Sequence, residues 1–211
     1  MDEVRLGLKD NIDLSKYVKM GMNYKLYHTS AFVNNSTDVF IPTIPKYAMK
    51  GEDTSILRVC LSDAIKHCLM SSSTCREALD NGQKLFKVYE FIIEDDCLLN
   101  PSQLYKDCLV PDAKIYNEYW CMEAIKPVNA YNIKIISYDN DMKLCVNPNR
   151  IDEYNRYIKK IDNAEETGCY DLCDTLYNEM LEKGIAFNVM YLKDLDFIKL
   201  SNNLIELNIF D

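Results

Sequence analysis

Glycine and proline are scarce in this chain, six of each among 211 residues, and there are two histidines and one tryptophan. The shortage of Gly and Pro excludes a collagen-like or low-complexity chain and leaves the turns to Asn, Asp and Ser. With only His28 and His67 present, a histidine-rich metal centre is excluded. No apolar run approaches the roughly 18 residues needed to span a bilayer, and the opening MDEVRLGLKDNIDLSKYV is too charged for a signal peptide. No basic block is present: 24 Lys+Arg stand against 33 Asp+Glu, a net charge of −9. General nucleic-acid binding, which needs clustered Lys and Arg to neutralise phosphates, is therefore not expected. Neither is a membrane partner.

What is present is the composition of a globular domain. Hydrophobic residues make up 48% and charged residues 27%, enough to bury a core without disulfide or metal support. At roughly 150 residues per domain the length implies one domain with an appended element. The nine cysteines are odd in number and show no CxxC spacing, which points to a reduced, cytoplasmic chain. Cys169 and Cys173, four apart, share a helix face and read as small buried hydrophobes.

Along the chain, the first twenty residues read as a weak helix or extended arm with Leu14, Tyr17 and Val18 as apolar contacts. Lys25 to His28 reads as a short strand, followed by a loop kept extended by Pro42 and Pro45. Ile56 to Leu61 alternates as a strand, with Leu57, Val59 and Leu61 on one face and Arg58 and Cys60 on the other. Ser62 is the expected N-cap of a helix carrying Ile65, Cys68 and Leu69 to about Ser71. Leu85 to Ile93 is the most strand-like segment and runs into the acidic turn Glu94-Asp95-Asp96. Tyr119 to Ile125 and Tyr131 to Tyr138 read as further strands. Beyond Asp139, Ile151, Tyr154, Ile158 and Ile161 recur at helical spacing, as do Leu172, Leu176 and Met180, with Gly184 placed to stop the second helix. Phe187 to Leu192 adds a possible strand. The reading is α+β: a split, mainly antiparallel β-sheet core over 1–138, with 139–211 as a helical extension packed on it.

Four segments in order, Leu26-Tyr27-His28-Thr29, Arg58-Val59-Cys60-Leu61-Ser62, Val88-Tyr89-Glu90 with Glu94-Asp95-Asp96, and Trp120 to Ile135, resemble the ADP-ribosyltransferase superfamily. Within it they are most similar to the small bacterial rifampin ADP-ribosyltransferases. The resemblance covers residues 24–138 and rests on short motifs. It implies an NAD cleft between two small sheets and cleavage of the nicotinamide–ribose bond through an oxocarbenium-like state, which a carboxylate stabilises. It puts His28 in the ribose-binding role, beside Thr29, and Asp96 or its neighbours Glu94 and Asp95 in the carboxylate role. Glu118 is the substitute carboxylate, its plain alternative being an exposed glutamate at a strand start.

The family's stacking Tyr is replaced by Cys60, so the ring would come from Tyr47, Tyr89 or Tyr119. Arg58 faces the expected cleft, as a bidentate pyrophosphate ligand or as half of a surface ion pair. His67 reads as a surface residue and Trp120 as core. Three functions follow: an enzyme that transfers ADP-ribose from NAD to an unknown acceptor; a protein that sequesters NAD, ADP-ribose or a derived signalling nucleotide, as a viral anti-defence protein would; or an acidic interaction module without a nucleotide site.

Overall fold

The computed structural model describes residues 22–48 and 51–200; the arm expected in the first twenty residues lies outside them. The fold is α+β, built on one seven-stranded antiparallel sheet of order β4-β5-β2-β1-β3-β6-β7. The strands are β1 (Asn23–Ser30), β2 (Val59–Ser62), β3 (Leu85–Glu94), β4 (Leu98–Leu99), β5 (Glu118–Cys121), β6 (Asn129–Val146) and β7 (Ala186–Leu200). The helices are α1 (Ile65–Ser71), α2 (Ser73–Asp80), α3 (Pro101–Lys106), α4 (Ile151–Glu166) and α5 (Tyr170–Glu182).

β3 is the spine of the sheet because its side chains alternate between two apolar layers. Phe86 and Val88 meet Leu69 and Met70 of α1, Cys75 and Leu79 of α2, and Ile133 and Ile135 of β6. Tyr89, Phe91 and Ile93 join Leu26, Val59 and Leu61 in a second cluster, against which Phe40 of the 31–48 loop is packed. A third cluster gathers Trp120 and Leu99 with Leu104, Leu109 and Val110 around α3.

Several local expectations are corrected. Ser62 ends β2 and does not cap α1; Ala64 stands at the cap position without a side-chain bond. The carboxylate of Asp63 instead serves His67 and Asn117. The Ser-rich step after α1 starts a second helix, with Ser72 accepting from the Cys75 N–H. At Asn100-Pro101 the chain forms α3 through a capping box between Asn100 and Gln103. The expected boundary at 138/139 falls inside β6. The described part of 139–211 supplies the rest of β6 and all of β7 as well as α4 and α5, which sit between the two strands of this pair. Residues 139–143 of β6 are exposed and mostly polar, and this hid the continuation of the strand from a hydrophobic-periodicity reading. Gly184, in the left-handed region at φ 65°, stops α5 as its sequence position implies.

The site is positioned by the way the sheet is joined. β1 lies against β3 from Asn23 opposite Glu94 to Ser30 opposite Lys87. β2 lies against β5 from Val59 opposite Cys121 to Ser62 opposite Glu118. Between β1 and β2 the registered pair is Tyr27 opposite Ser62, after which the two strands separate. The ring of Phe40 wedges the covering loop over this point, 5.0 Å from the His28 ring, 4.9 Å from Tyr89 and 5.2 Å from Phe91. Phe40→Ala is expected to lower unfolding free energy by about 3 kcal/mol through lost burial and a residual void, measured by urea denaturation.

Candidate functional site

Where β1 and β2 part, a cavity of about 470 Å³ opens, lined by His28, Thr29, Arg58, Cys60 and Glu118. Four of these five expected site residues come from the neighbouring strands β1, β2 and β5, and Arg58 immediately precedes β2. The other walls are the 40–47 loop and the hydroxyl run Ser71 to Thr74 at the start of α2. A second cavity of about 300 Å³ shares Tyr47, Glu52, Ser71, Ser73 and Glu118 with the first, and adds Arg76, Asp112 and Tyr116. Glu118 and Tyr47 therefore stand where the two spaces meet.

His28 spans the gap between the strands. Its Nδ1–H donates to the Cys60 carbonyl at 3.1 Å, replacing the ladder bond that the separated backbones no longer make. That bond fixes the tautomer and leaves Nε2 with a lone pair. Burial pulls the imidazole below its ordinary pKa, with the Cys60 carbonyl opposing, so the ring is neutral and an acceptor. Thr29 is buried and its hydroxyl donates to Cys75 Sγ at 3.5 Å, tying β1 to α2. Cys60 is a protonated thiol: burial pushes it well up, and the Glu118 and Glu52 carboxyls add to this.

Arg58 is 2% exposed, and two of its three guanidinium nitrogens are engaged, with Nε buried without a partner. One nitrogen donates to the Ile56 carbonyl at 2.9 Å and another pairs with Glu52. Its plane lies 3.8 Å from the Trp120 ring centroid, a cation–π contact in a desolvated place. The expected surface ion pair is thus a buried one. Removing one partner of such a pair is costly because the other charge is stranded. Arg58 holds the wall of the cavity, and its pairing with Glu52 leaves it poorly suited to take a pyrophosphate bidentately.

Glu118 is 7% exposed, not an exposed strand-start glutamate. Its Oε1 accepts from the Trp120 indole N–H at 2.8 Å. Burial, with Glu52 and Asp112 nearby, lifts it to about 8. It is a carboxylic acid at neutral pH. Asp112, also buried, is pushed up to about 6 by burial and by Glu52, against the opposing charge of Arg76.

Asp96 and Tyr89 do not line the cavity. β3 runs antiparallel to β1, so Tyr89 lies opposite His28 while Glu94 lies opposite Asn23. The acidic turn is thereby carried five residues down the ladder, on the order of 16 Å at the strand rise. Asp96 is exposed on the single 3₁₀ turn Asp95–Cys97, after Glu94 has ended β3 with an exposed side chain. Tyr89 is core, and its hydroxyl donates to the Asn35 carbonyl at 3.0 Å. Tyr119 packs on Tyr24, 5.6 Å between centroids. Of the three candidate rings, Tyr47 lines both cavities and is 65% exposed, with Lys46 Nζ 5.2 Å from its centroid. His67 is a partly buried residue paired with Asp63 at 2.7 Å.

Sequence reasoning missed Glu52, Phe40, Arg76 and Asp112. The Ser71-Ser72-Ser73-Thr74 run was visible as a signal for the rim of the cavity, whereas nothing in the sequence ties Glu52 to Arg58 and Trp120.

The raised carboxyl of Glu118 has a pH consequence. Between the ordinary glutamate value of 4.5 and about 8, the folded chain holds a proton at Glu118 that the unfolded chain has released. This contribution to stability is complete below 4.5 and is lost as the pH climbs through 8. Asp112 acts likewise between 3.8 and about 6. Denaturation midpoints are expected to fall from pH 5 to pH 8. Glu118→Gln, which keeps a neutral side chain of the same shape, should flatten that slope; an unchanged slope would mean Glu118 ionises normally.

No family model matches the chain, and no curated protein or solved structure matches it.

Proposed function

We propose that this chain binds NAD in the cavity between β1 and β2 and cleaves its nicotinamide–ribose bond, passing ADP-ribose to an acceptor, as the resemblance to ADP-ribosyltransferases implies. The carrying observation is the convergence of His28, Cys60 and Glu118, from β1, β2 and β5, on one cavity. In this reading Glu118 takes the carboxylate role in place of Asp96. His28 Nε2 accepts from a ribose hydroxyl, and the hydroxyls of Ser71 to Thr74 line the path of the sugar and phosphates. Tyr47 supplies the ring that Cys60 lacks, and Lys46 beside it offers the phosphates a cation. The cavity volume is that of a small-molecule site.

The neutral state of Glu118 is compatible with this chemistry. A cationic nicotinamide, and then a cationic sugar, beside the carboxyl favours its ionised form, so the anion develops as the positive charge does. The same burial favours a second reading, retention of NAD or ADP-ribose without turnover, because Cys60 offers no ring and the carboxyl is protonated before ligand enters. The nine free thiols suit a reducing compartment such as the cytoplasm. Among the described residues no helix is long and apolar enough to cross a membrane.

Incubation with NAD, with free nicotinamide followed by chromatography and binding by calorimetry, tests both readings. Glu118→Gln should cut nicotinamide release by on the order of 100-fold while leaving ADP-ribose affinity nearly unchanged, and Asp96→Ala should leave both intact. His28→Ala should weaken NAD and ADP-ribose roughly tenfold. Stoichiometric binding without release supports the retaining protein, and absence of both signals removes the nucleotide site. Tyr47→Ala should weaken NAD binding roughly tenfold through lost stacking, with Tyr47→Phe close to the wild type.

A further inference from the structure

Outside the cavity, the edge of the sheet brings two thiols together. Cys97 is the last residue of the 3₁₀ turn Asp95–Cys97, and Cys121 is the last residue of β5. Leu98 lies opposite Cys121 in the β4–β5 ladder, and the Met122 N–H donates to the Cys97 carbonyl at 3.2 Å. This register sets the thiols diagonally across the two strands, sharing a hydrogen bond at 3.7 Å between sulfurs. Cys121 is fully buried and Cys97 partly buried, so one member of the pair meets solvent and the other is shielded.

We propose that Cys97 and Cys121 form a site of reversible oxidation, closing to an intramolecular disulfide when the chain meets a peroxide. A disulfide needs its sulfurs at about 2.05 Å, and neighbouring backbones already hold this pair in van der Waals contact. The remaining approach falls on the Cys97 side chain, which is partly buried while Cys121 is fully buried. Cys97 Sγ takes one oxygen from hydrogen peroxide, becoming a sulfenic acid as water leaves. Cys121 Sγ then attacks that sulfur; the S–S bond forms, the S–O bond breaks, and the Cys121 proton departs with the hydroxyl as a second water. Within the hydrogen-bonded pair the Cys97 thiol is pushed up and the Cys121 thiol down; it is solvent access that makes Cys97 the first target of peroxide.

The closed loop contains α3, Glu118 and Trp120. The crosslink therefore staples to the sheet edge the segment that carries the carboxyl of the cavity, and it removes freedom from the unfolded chain. This inference stands on the thiol geometry and is independent of any nucleotide reading.

The full chain, fully reduced and then treated with a slight excess of hydrogen peroxide, tests it. The expected result is a loss of two hydrogens, a fall from the nine thiols of the sequence to seven titratable in denaturant, and one linked peptide pair spanning residues 97 and 121. The melting temperature should rise by several degrees, and dithiothreitol should reverse every change. Cys97→Ser should abolish the linkage, as should Cys121→Ala, which tolerates burial if Cys121→Ser does not fold. Nine thiols after peroxide, a disulfide mapped elsewhere, or oxidation of Cys97 that stops short of linkage in the wild type would each overturn the proposal.

Discussion

At Tyr27 opposite Ser62 the β1–β2 joint is closed, and beyond it the strands part. The backbone groups freed there need other partners, because buried polar groups left unpaired are costly. His28 serves one of them by donating to the Cys60 carbonyl. Further along, Arg58 leaves the ladder for a pairing of its own, exchanging backbone hydrogen bonds with Thr43 at 3.0 Å. The gap is therefore bridged by a side chain on one side and roofed by the 40–47 loop on the other. That loop is anchored by Phe40 against the aromatic cluster of β1 and β3.

Behind the gap lies a buried polar chain: Glu52 to Arg58, Arg58 over Trp120, and the Trp120 indole to Glu118. Each member constrains the next. The ion pair neutralises Arg58, the guanidinium packs the indole, and the indole fixes one oxygen of Glu118. In the low dielectric of such a place these contacts are strong, and the loss of any one leaves a group exposed to the same low dielectric without compensation. The indole holds Glu118 in place, while burial beside Glu52 and Asp112 keeps it uncharged.

The α+β class and the antiparallel sheet were legible in the sequence, as was much of the order of elements, but the expected split core is instead one seven-stranded sheet. Leu85 to Ile93 is β3 nearly to the residue, because an interior strand with two buried faces is rich in aromatic and β-branched side chains. The stripe Ile65-Cys68-Leu69 gave α1, and the periodic apolar residues after Ile151 gave α4 and α5. The continuation of β6 through residues 139–143 was not legible, since a stretch exposed on both faces carries polar residues that read as loop. Nor was α3, whose start depends on the reciprocal bonds of Asn100 and Gln103 and not on any apolar stripe.

His28, Thr29, Cys60 and Glu118 were singled out through the resemblance of short motifs, and Arg58 by strand alternation, since motifs and alternation are properties of short segments. Which carboxylate stands with them was decided by strand order. The antiparallel run of β3 carries Asp96 away from His28, while placing β5 beside β2 brings Glu118 to the cavity. Charge state was decided there as well, because burial beside Glu52 and Asp112 keeps Glu118 uncharged against the Trp120 hydrogen bond, and those neighbours lie together only after folding. The sequence by itself determined the strands and the side chains they offer; pairing and burial, which act between residues far apart in the chain, decided which of them share a site.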